Sequence, residues 1–188
     1  MAPAASNVGN RMVTEDEGIL IARSRSGDWE AFAGLIRMHQ RMIHSLAYRM
    51  SGSAADAEDL AQETFIRAYR ALDSYRGGAK FSSWLYRIAL NLCLRWRRLE
   101  IRRGAADREW ARAGARDTAP DARSERVQEA LLMLPPKQRA AVVLTVFDGM
   151  SHSEAATMLG CPEATLSWRL FAARQRLASL LSGHESIP

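Results

Sequence analysis

Apolar side chains recur every three or four positions along almost the whole chain, which is the spacing of amphipathic α-helices. Strict alternation of Val, Ile and Thr, which would predict strands, is missing from the sequence. In the first part of the chain, the pattern predicts apolar helical segments over Trp29–Ile36, Ile43–Met50, Asp56–Leu72 and Phe81–Leu99. The second of these ends at Ser51-Gly52-Ser53, a run typical of a helix stop.

The second part of the chain begins with two short predicted helices. One contains Val127 and Leu131 and stops at Pro135-Pro136, and the next runs from Gln138 to Phe147 and ends at Asp148-Gly149. We expect both to bury their apolar faces in a second helical domain.

A capping sequence marks the start of a third helix in this part. Ser151 is followed three residues later by Glu154, the pattern of a capping box, and the helix it opens ends at Gly160. Pro162 then suits the first turn of a last helix. The predicted apolar stripe of that helix comprises Leu166, Leu170, Ala173, Leu177 and Leu180/Leu181.

The helical pattern breaks down between the two parts. Residues 104–123 are rich in Ala, Arg and Asp and contain Gly104, Gly114 and Pro120, which predicts a linker. The first residues, to about Glu17, are expected to be loose. We therefore predict an all-α protein of two small helical domains joined by a flexible linker. The expected boundaries are a tail over 1–18, domains over 19–103 and 124–183, the linker 104–123, and a second tail over 184–188.

Composition narrows the class of protein. Hydrophobic residues make up 47% of the 188 residues and the mean hydropathy is −0.23, which excludes wholesale disorder. The apolar runs are too short to cross a bilayer, and the first residues do not resemble a secretory signal. Cys93 and Cys161 lie far apart with no pair of histidines nearby, which argues against a disulfide framework or a zinc site and favours a cytoplasmic location.

The net charge of +5 belongs to the first domain. Residues 19–103 carry 15 Lys and Arg against 8 Asp and Glu, whereas residues 124–188 carry 6 of each. A basic domain attracts polyanions such as nucleic acids.

The sharpest local signal is the stretch from Ser151 to Leu177. A short helix, a turn at Gly160 and a longer helix with arginines on its outer side predict a helix-turn-helix that binds DNA. The alternative is an ordinary helical hairpin with a solvated basic face. The predicted outer side carries Thr165, Trp168, Arg169, Ala172 and Arg176. Trp168 could either face DNA or pack on a neighbouring helix.

A second signal interleaves aromatic and basic residues between Tyr75 and Arg98. Aromatic rings can stack on unpaired bases while cations follow the phosphates, so this stretch suits single-stranded DNA. The alternative is that several of the aromatic side chains belong to the core, and for Trp84 and Tyr86 neither interpretation prevails. For the Arg95–Arg98 cluster the alternative is a solvated face.

A third signal is the acidic run Asp56–Glu63 in an otherwise basic domain. It indicates a surface for a basic protein partner, although acids in a first helical turn also interact favourably with the helix dipole.

Sequence motifs of catalysis are missing. The four histidines are scattered, with His39 and His44 five positions apart, and the sequence contains no Walker loop, nucleophile elbow or His-Glu zinc motif. We therefore expect no enzyme activity, no metal site and no cofactor.

Taken together, these motifs resemble the extracytoplasmic-function sigma factors, which are short bacterial members of the sigma-70 family that retain regions 2 and 4. Asp56–Phe65 with Arg67–Leu72 is similar to region 2.2, and Phe81–Ala89 with Asn91 to regions 2.3 and 2.4. The segments similar to region 4 are Leu134–Arg139, Gly149–Ser151, Glu154–Ala156, Leu159-Gly160, Arg169-Leu170 and Ala173–Leu177.

The resemblance implies an alternative sigma factor that binds core RNA polymerase and directs promoter-specific initiation. Region 2 would contact the polymerase β′ clamp helices through Asp56, Asp59, Gln62 and Glu63. Its contacts to the single strand of the −10 element would come from Tyr75, Lys80, Phe81, Ser82, Ser83, Trp84, Arg87, Asn91, Arg95 and Arg98.

Region 4 would contact the −35 element and the polymerase β flap. The expected −35 residues are Thr165, Trp168, Arg169, Ala172, Arg174 and Arg176. Ser167 and Trp168 depart from the family pattern, which commonly has a cation and a small residue there. The resemblance also implies an anti-sigma protein, often membrane-bound, that covers these surfaces.

Two other functions remain open at this point. A stand-alone helix-turn-helix regulator would explain residues 151–177 but neither the acidic run nor the aromatic and basic stretch. A nucleic-acid-processing enzyme would need a cluster of acidic metal ligands.

Overall fold

The computed structural model describes the backbone of residues 8–102 and 122–182, and all regular structure within these ranges is helical. Four long helices form the front half: α1 (Val8–Arg25), α2 (Trp29–Ser51), α3 (Ala54–Arg70) and α4 (Phe81–Arg102), with a 3-10 turn at Leu72–Ser74. The back half contains α5 (Ala122–Leu132), α6 (Pro136–Val142), a π-helical turn (Val143–Phe147), α7 (His152–Leu159) and α8 (Glu163–Ser182). None of these helices is both long and apolar enough to span a membrane.

Helix α2 is the centre of the front half and packs against α1, α3 and α4. Its N-cap, Asp28, accepts a hydrogen bond from the Ala31 N–H, and its C-cap, Gly52, adopts the left-handed conformation with φ 79°. The helix buries Phe32 and Ile43 almost completely. Burial of side chains of this size on three sides is the main force that holds the four helices together.

Within residues 122–182, the back half contains three short helices and the longer α8, and Leu131, Leu144, Leu166 and Leu170 contribute to its part of the core. Helix α6 continues directly into the π-helical turn, where the Asp148 N–H bonds the Val143 carbonyl at 3.0 Å. This turn shapes the surface of the back half because it leaves Val146 and Phe147 exposed.

A seam joins the two halves, and Arg139 of α6 lies at its centre, fully buried. Its guanidinium donates to the carbonyls of Met50 at 2.5 Å and Leu131 at 2.8 Å, and also to the Leu132 carbonyl. These carbonyls belong to the last turns of α2 and α5, where the helix dipole places partial negative charge. One guanidinium therefore caps two helices, one from each half.

Three further contacts extend the seam. The Gln128 side-chain amide donates to the Tyr48 carbonyl at 3.0 Å, and the buried Tyr86 hydroxyl of α4 donates to the Asp148 carboxylate. The Arg49 guanidinium lies 4.6 Å from the centre of the Phe147 ring and 3.8 Å from Asp148. These contacts bind the front and back halves together in addition to Arg139.

The sequence analysis is confirmed in the order of the helices and corrected in some details. The loose tail expected to Glu17 is shorter, since α1 begins at Val8, and the segments at Trp29–Ile36 and Ile43–Met50 form one continuous helix. Leu180 and Leu181, placed in the apolar stripe of α8, are exposed, because the core of the back half ends before that turn. The predicted linker 104–123 and the tail 184–188 lie, except for residues 122 and 123, outside the described residues.

Candidate functional site

The acidic face lies on α3, the helix that begins after the N-cap Ser53, whose hydroxyl accepts from the Asp56 N–H. Asp59 and Gln62 are exposed, whereas Asp56 is half-buried. Glu63 accepts a hydrogen bond from Arg67 at 2.6 Å, one helical turn away. The carboxylate of Glu63 is therefore partly neutralised, which leaves Asp59 and Gln62 as the side chains most available to a partner.

A hydrogen bond from Tyr75 closes the loop before α4. The Tyr75 hydroxyl donates to the Ala79 carbonyl at 2.7 Å, and Gly77 supplies the left-handed turn between them with φ 74°. Burial, reinforced by the nearby Glu17 carboxylate, raises the pKa of Tyr75, so the hydroxyl stays protonated and remains a donor.

An aromatic cluster connects this loop to the first turn of α4. The rings of Tyr75, Phe81 and Trp84 lie with their centres 5.4 Å apart in each pair. Phe81 is only 1% exposed, so it belongs to the core and cannot stack on a base. This corrects the expectation that Phe81 contacts DNA directly, and it leaves the half-buried Tyr75 and Trp84 as the aromatic edge of the loop.

A polar and cationic stripe follows along one face of α4. Its members lie three or four positions apart, which places them on the same side of the helix: Trp84, Arg87, Asn91, Arg95 and Arg98. All except Trp84 are exposed, and Lys80 is exposed just before the helix. Ser82 and Ser83 are half-buried in its first turn. The opposite face, with Leu85 and Ala89, is buried in the core.

Tyr86 belongs to neither the stripe nor the free surface. It is buried in the seam, where desolvation and the hydrogen bond to Asp148 raise its pKa far above the usual range of a phenol. Burial likewise raises the pKa of the Asp148 carboxyl, although the Tyr86 hydroxyl and Arg49 oppose that shift. The two interpretations left open for Tyr86 are thus resolved in favour of packing.

The back half contains the predicted helix-turn-helix. The Ser151 hydroxyl accepts from the Glu154 N–H at 3.2 Å, and the Ser151 N–H donates to the Glu154 carboxylate at 2.9 Å, so the capping box is complete. The Ser151 hydroxyl also donates to the Glu154 carboxylate at 2.7 Å, and this hydrogen bond, together with the one from the Ser151 N–H, lowers the pKa of Glu154. Gly160 ends α7 with φ 58°, and its left-handed turn sends the chain into α8.

Only some of the residues predicted for the outer side of α8 are exposed. Trp168 and Arg176 are exposed, whereas Thr165 and Ala172 are half-buried. Arg169 is also half-buried, and its guanidinium donates to the Cys161 sulfur at 3.3 Å. The residue missed by sequence reasoning is Phe171, which is 60% exposed and shares the outward side with Trp168.

Arg174 is exposed one turn after Phe171 and also lies at the edge of an apolar cavity of about 160 Å³ between α5, the α6 region and α8. Two positions turn the helix by about 200°, so Arg174 and Arg176 lie on different sides of α8. The apolar residues that line the cavity are Val127, Ala130, Leu131, Val142, Val146, Phe147, Leu170, Leu177 and Leu181.

Groups of three or more His, Cys, Asp or Glu side chains that could hold a metal ion are not found in the described part of the chain. The two cysteines are free thiols, with Cys93 buried, and burial raises the pKa of Cys93 to about 12.

Two family models match separate parts of the chain. Sigma-70 region 2 matches residues 35–103, and Sigma-70 region 4 matches residues 124–177. The match to region 2 includes the acidic face, the loop and the cationic stripe, and the match to region 4 includes the helix-turn-helix.

Similar proteins carry the names of sigma factors. The extracytoplasmic-function sigma factor SigM of Mycobacterium tuberculosis is 40% identical over 177 residues, which cover 94% of this chain and 90% of SigM. SigW of Bacillus subtilis is 34% identical over 176 residues, covering 86% and 94%. SigE of Mycolicibacterium smegmatis is 42% identical over 160 residues, and that match spans 81% of this chain but only 62% of the longer SigE.

Solved structures show the same helical arrangement. CnrH, in complex with the cytosolic domain of CnrY, has a TM-score of 0.64 and 30% identity over 90% of this chain and 99% of CnrH. The sigma factor RpoE of Bartonella quintana, in complex with the anti-sigma factor NepR, has a TM-score of 0.65 and 27% identity over 80% and 96%.

Proposed function

This chain belongs to the extracytoplasmic-function sigma factors of the sigma-70 family, and from that membership we propose that it binds core RNA polymerase and recruits it to promoters with its own −10 and −35 elements. The observation that carries the proposal is the exposed stripe of α4, which begins at the aromatic edge of the loop. Members of this family are initiation factors rather than enzymes, and we propose that the chain has no chemistry of its own.

The front half would open and hold the −10 element. Cations spaced along α4 can follow the phosphates of one strand, and the rings of Tyr75 and Trp84 offer apolar faces to an unpaired base. Extruding a base from the duplex costs a few kcal/mol, which stacking and phosphate contacts would offset. Ser82, Ser83 and Asn91 can supply hydrogen bonds to base edges.

Docking on polymerase would use the acidic face of α3. Asp59 and Gln62 are exposed on the same side of the helix, and an acidic surface in a basic domain favours a basic partner over nucleic acid. The proposed partner surface is the β′ clamp helices, with Glu63 and Asp56 at the edge of the contact.

The back half would hold the upstream duplex. Arg169 and Arg176 can bind phosphates or guanine edges, and α8 is the recognition helix of the helix-turn-helix. Polymerase would fix the distance between the two DNA contacts, so that two weak contacts act together with a high effective concentration.

We further propose control by an anti-sigma factor in the cytoplasm. Both solved neighbours are complexes, one of them with the anti-sigma factor NepR and the other with the cytosolic domain of CnrY. The apolar cavity between α5 and α8 offers a surface for an apolar helix of such a partner or for the polymerase β flap. We propose that this partner is membrane-bound, as the anti-sigma proteins of this family often are.

The stand-alone regulator is not favoured. It would leave the acidic face and the α4 stripe without a role, whereas both family models together match the two halves of the chain in the expected order.

The test replaces Asp59 by Arg and Gln62 by Ala in the full chain. We expect binding to core polymerase to be abolished, because the charge reversal places a cation against a basic partner, while the helical circular dichroism and the melting temperature stay unchanged. Glu129→Arg, an exposed charge reversal on α5, is the control that keeps wild-type binding. Wild-type affinity of the double variant would remove α3 as the docking surface.

Promoter activity is tested separately, by transcription reconstituted from core polymerase and this chain on genomic fragments, with mapping of the start sites. Initiation at defined sites only when the chain is present supports the proposal. Specific binding to duplex DNA by the chain alone, with no effect on polymerase, would instead support the stand-alone regulator.

A further inference from the structure

Two large aromatic side chains project from the outward side of α8. Trp168 is 64% exposed and Phe171 is 60% exposed, and they lie three positions apart, so both occupy one face of the helix. The inward face of the same turns is already filled, since Leu166, Leu170 and Ala173 are buried. The two rings therefore do not contribute to the core of the back half.

Exposed rings of this size keep a large apolar area in contact with water, which favours covering them on binding. The neighbours one turn before the rings, Ala164 and Ser167, are small, whereas Arg174 and Gln175, one turn after Phe171, are long and exposed. The small neighbours let a surface approach the N-terminal part of the helix closely while the two rings extend beyond it. This arrangement suits a partner with a groove rather than a flat face.

The charges around the rings indicate what this partner is. Arg176 is exposed one turn after Ala172 and Arg174 is exposed one turn after Phe171, so a cation lies on each side of the two rings. In this part of α8, the acidic residue is Glu163, at the first position of the helix. Apolar rings between cations fit the DNA major groove, where phosphates form the rim and base edges the floor.

We propose that Trp168 and Phe171 select thymines in the upstream duplex by contact with their 5-methyl groups, an inference that rests on the proposed function of α8 as the −35 recognition helix. Thymine presents the apolar group of the major groove, and aliphatic or aromatic side chains are its usual partners. Trp168 lies at the sixth position of α8 and Phe171 at the ninth, within the N-terminal part of a recognition helix that contacts bases.

The test uses holoenzyme assembled from core polymerase and the full chain, with a promoter identified by reconstituted transcription. Each thymine of the −35 element, on either strand, is replaced in turn by uracil, which removes the methyl group and keeps the hydrogen-bonding pattern. We expect wild-type affinity to fall roughly four-fold at each contacted position, the value of one buried methyl group.

The variants Trp168→Ala and Phe171→Ala should each bind thymine-containing DNA more weakly and should no longer distinguish thymine from uracil at the position that the missing ring contacts. Leu180→Ala removes an exposed apolar side chain two turns further along α8 and should keep the discrimination. Arg176→Ala should weaken binding to both DNAs by the same factor, since phosphate contacts do not sense the methyl group.

Equal affinity of wild-type holoenzyme for thymine and uracil DNA at every position would overturn the inference. So would unchanged discrimination in the two alanine variants, an outcome that assigns the rings to a protein partner. In both cases promoter-dependent transcription by wild-type protein would still stand, so failure of this inference is separate from failure of the proposed function.

Discussion

The front and back halves of the chain are proposed to bind the same polymer, yet they offer it different chemistry. Residues 19–103 of the front half carry 15 Lys and Arg against 8 Asp and Glu, and three of these cations lie along one face of α4. Residues 124–188 carry 6 Lys and Arg and 6 Asp and Glu. Exposed large apolar side chains occur in both halves, but in the back half two of them, Trp168 and Phe171, lie on the proposed recognition helix α8. The proposed functions therefore assign more of the long-range charge to the front half and base contact by aromatic side chains to α8 of the back half.

The contrast has a physical reason in the proposed substrates. A single strand has no fixed groove, so phosphate charge and base faces are what a protein can contact. A duplex presents a fixed pattern of base edges in its major groove, so an apolar side chain can pack closely against an apolar group there.

The largest effect is expected from breaking the seam that joins the halves. Arg139→Met keeps much of the side-chain length but leaves the carbonyls of Met50, Leu131 and Leu132 without their donor. We expect a loss of about 3 kcal/mol in the free energy of unfolding, because buried acceptors lose their partner. Urea unfolding followed by circular dichroism measures it.

Lys137→Met is the control for this variant, since Lys137 is an exposed cation on the same helix. A loss for Arg139→Met no larger than that of the control would mean that the two halves do not depend on this guanidinium.

The salt dependence of DNA affinity tests how much charge contributes to binding in each half. Arg95→Ala combined with Arg98→Ala should weaken holoenzyme binding to promoter DNA about ten-fold at low salt and reduce the slope of log affinity against log salt by roughly 0.7 to 0.9 per lost contact. Trp168→Ala should weaken binding with no change of slope. Fluorescence anisotropy over a series of salt concentrations separates the two.

Arg126→Ala combined with Lys137→Ala removes two exposed cations from the back half and serves as the matched control. If this pair reduces the slope as much as the α4 pair does, the division between a charged front half and an apolar back half is wrong.

A smaller effect is expected where α2 meets α5. Gly52 has φ 79°, and a Cβ added there would lie 2.3 Å from Leu132 Cδ1, so Gly52→Ala adds both backbone strain and a clash across the seam. Gly27→Ala adds the strain alone, since Gly27 has φ 87° with open space around it. We expect the Gly52 variant to be less stable than the Gly27 variant by about 1 kcal/mol. Thermal unfolding of both proteins compares them, and equal losses would mean that Leu132 moves aside freely.

The smallest effect concerns pH at the seam. Because the pKa of Asp148 is raised in the folded protein, the folded state holds this proton more tightly than the unfolded state does. Wild-type protein should therefore gain stability relative to Asp148→Asn as the pH falls from neutral through this raised pKa towards the unfolded value of 3.8. Melting temperatures measured over that range test the sign, and a relative loss at low pH would contradict it.

Much of the fold could be predicted from local pattern. The period of the apolar residues predicted the helices, and Ser151 with Glu154 predicted the capping box, because a helix start depends on residues close in sequence. The acidic face and the cations of α4 were predictable for the same reason, since charge on one face of a helix follows from spacing alone.

The missed features depend on contacts between distant residues. Phe81 lies in a stretch with the composition of a DNA-binding loop, but it is buried and packs against Tyr75 and His39. Arg139 is buried because two helix ends from different halves meet around it. Phe171, by contrast, was overlooked although helical spacing alone places it three positions from Trp168 and opposite the apolar stripe, on the outward side of α8.

The C-terminal turn of α2 relies on donors from the back half, because Gln128 and Arg139 bind the carbonyls of Tyr48 and Met50. The Gly52 amide, itself bonded to the Tyr48 carbonyl at 2.8 Å, is buried beneath Leu132. When the halves separate, this turn loses both the hydrogen bonds from Gln128 and Arg139 and the burial by Leu132. The rate of deuterium uptake at the Gly52 amide should then report how often the halves separate, without any label attached to the protein.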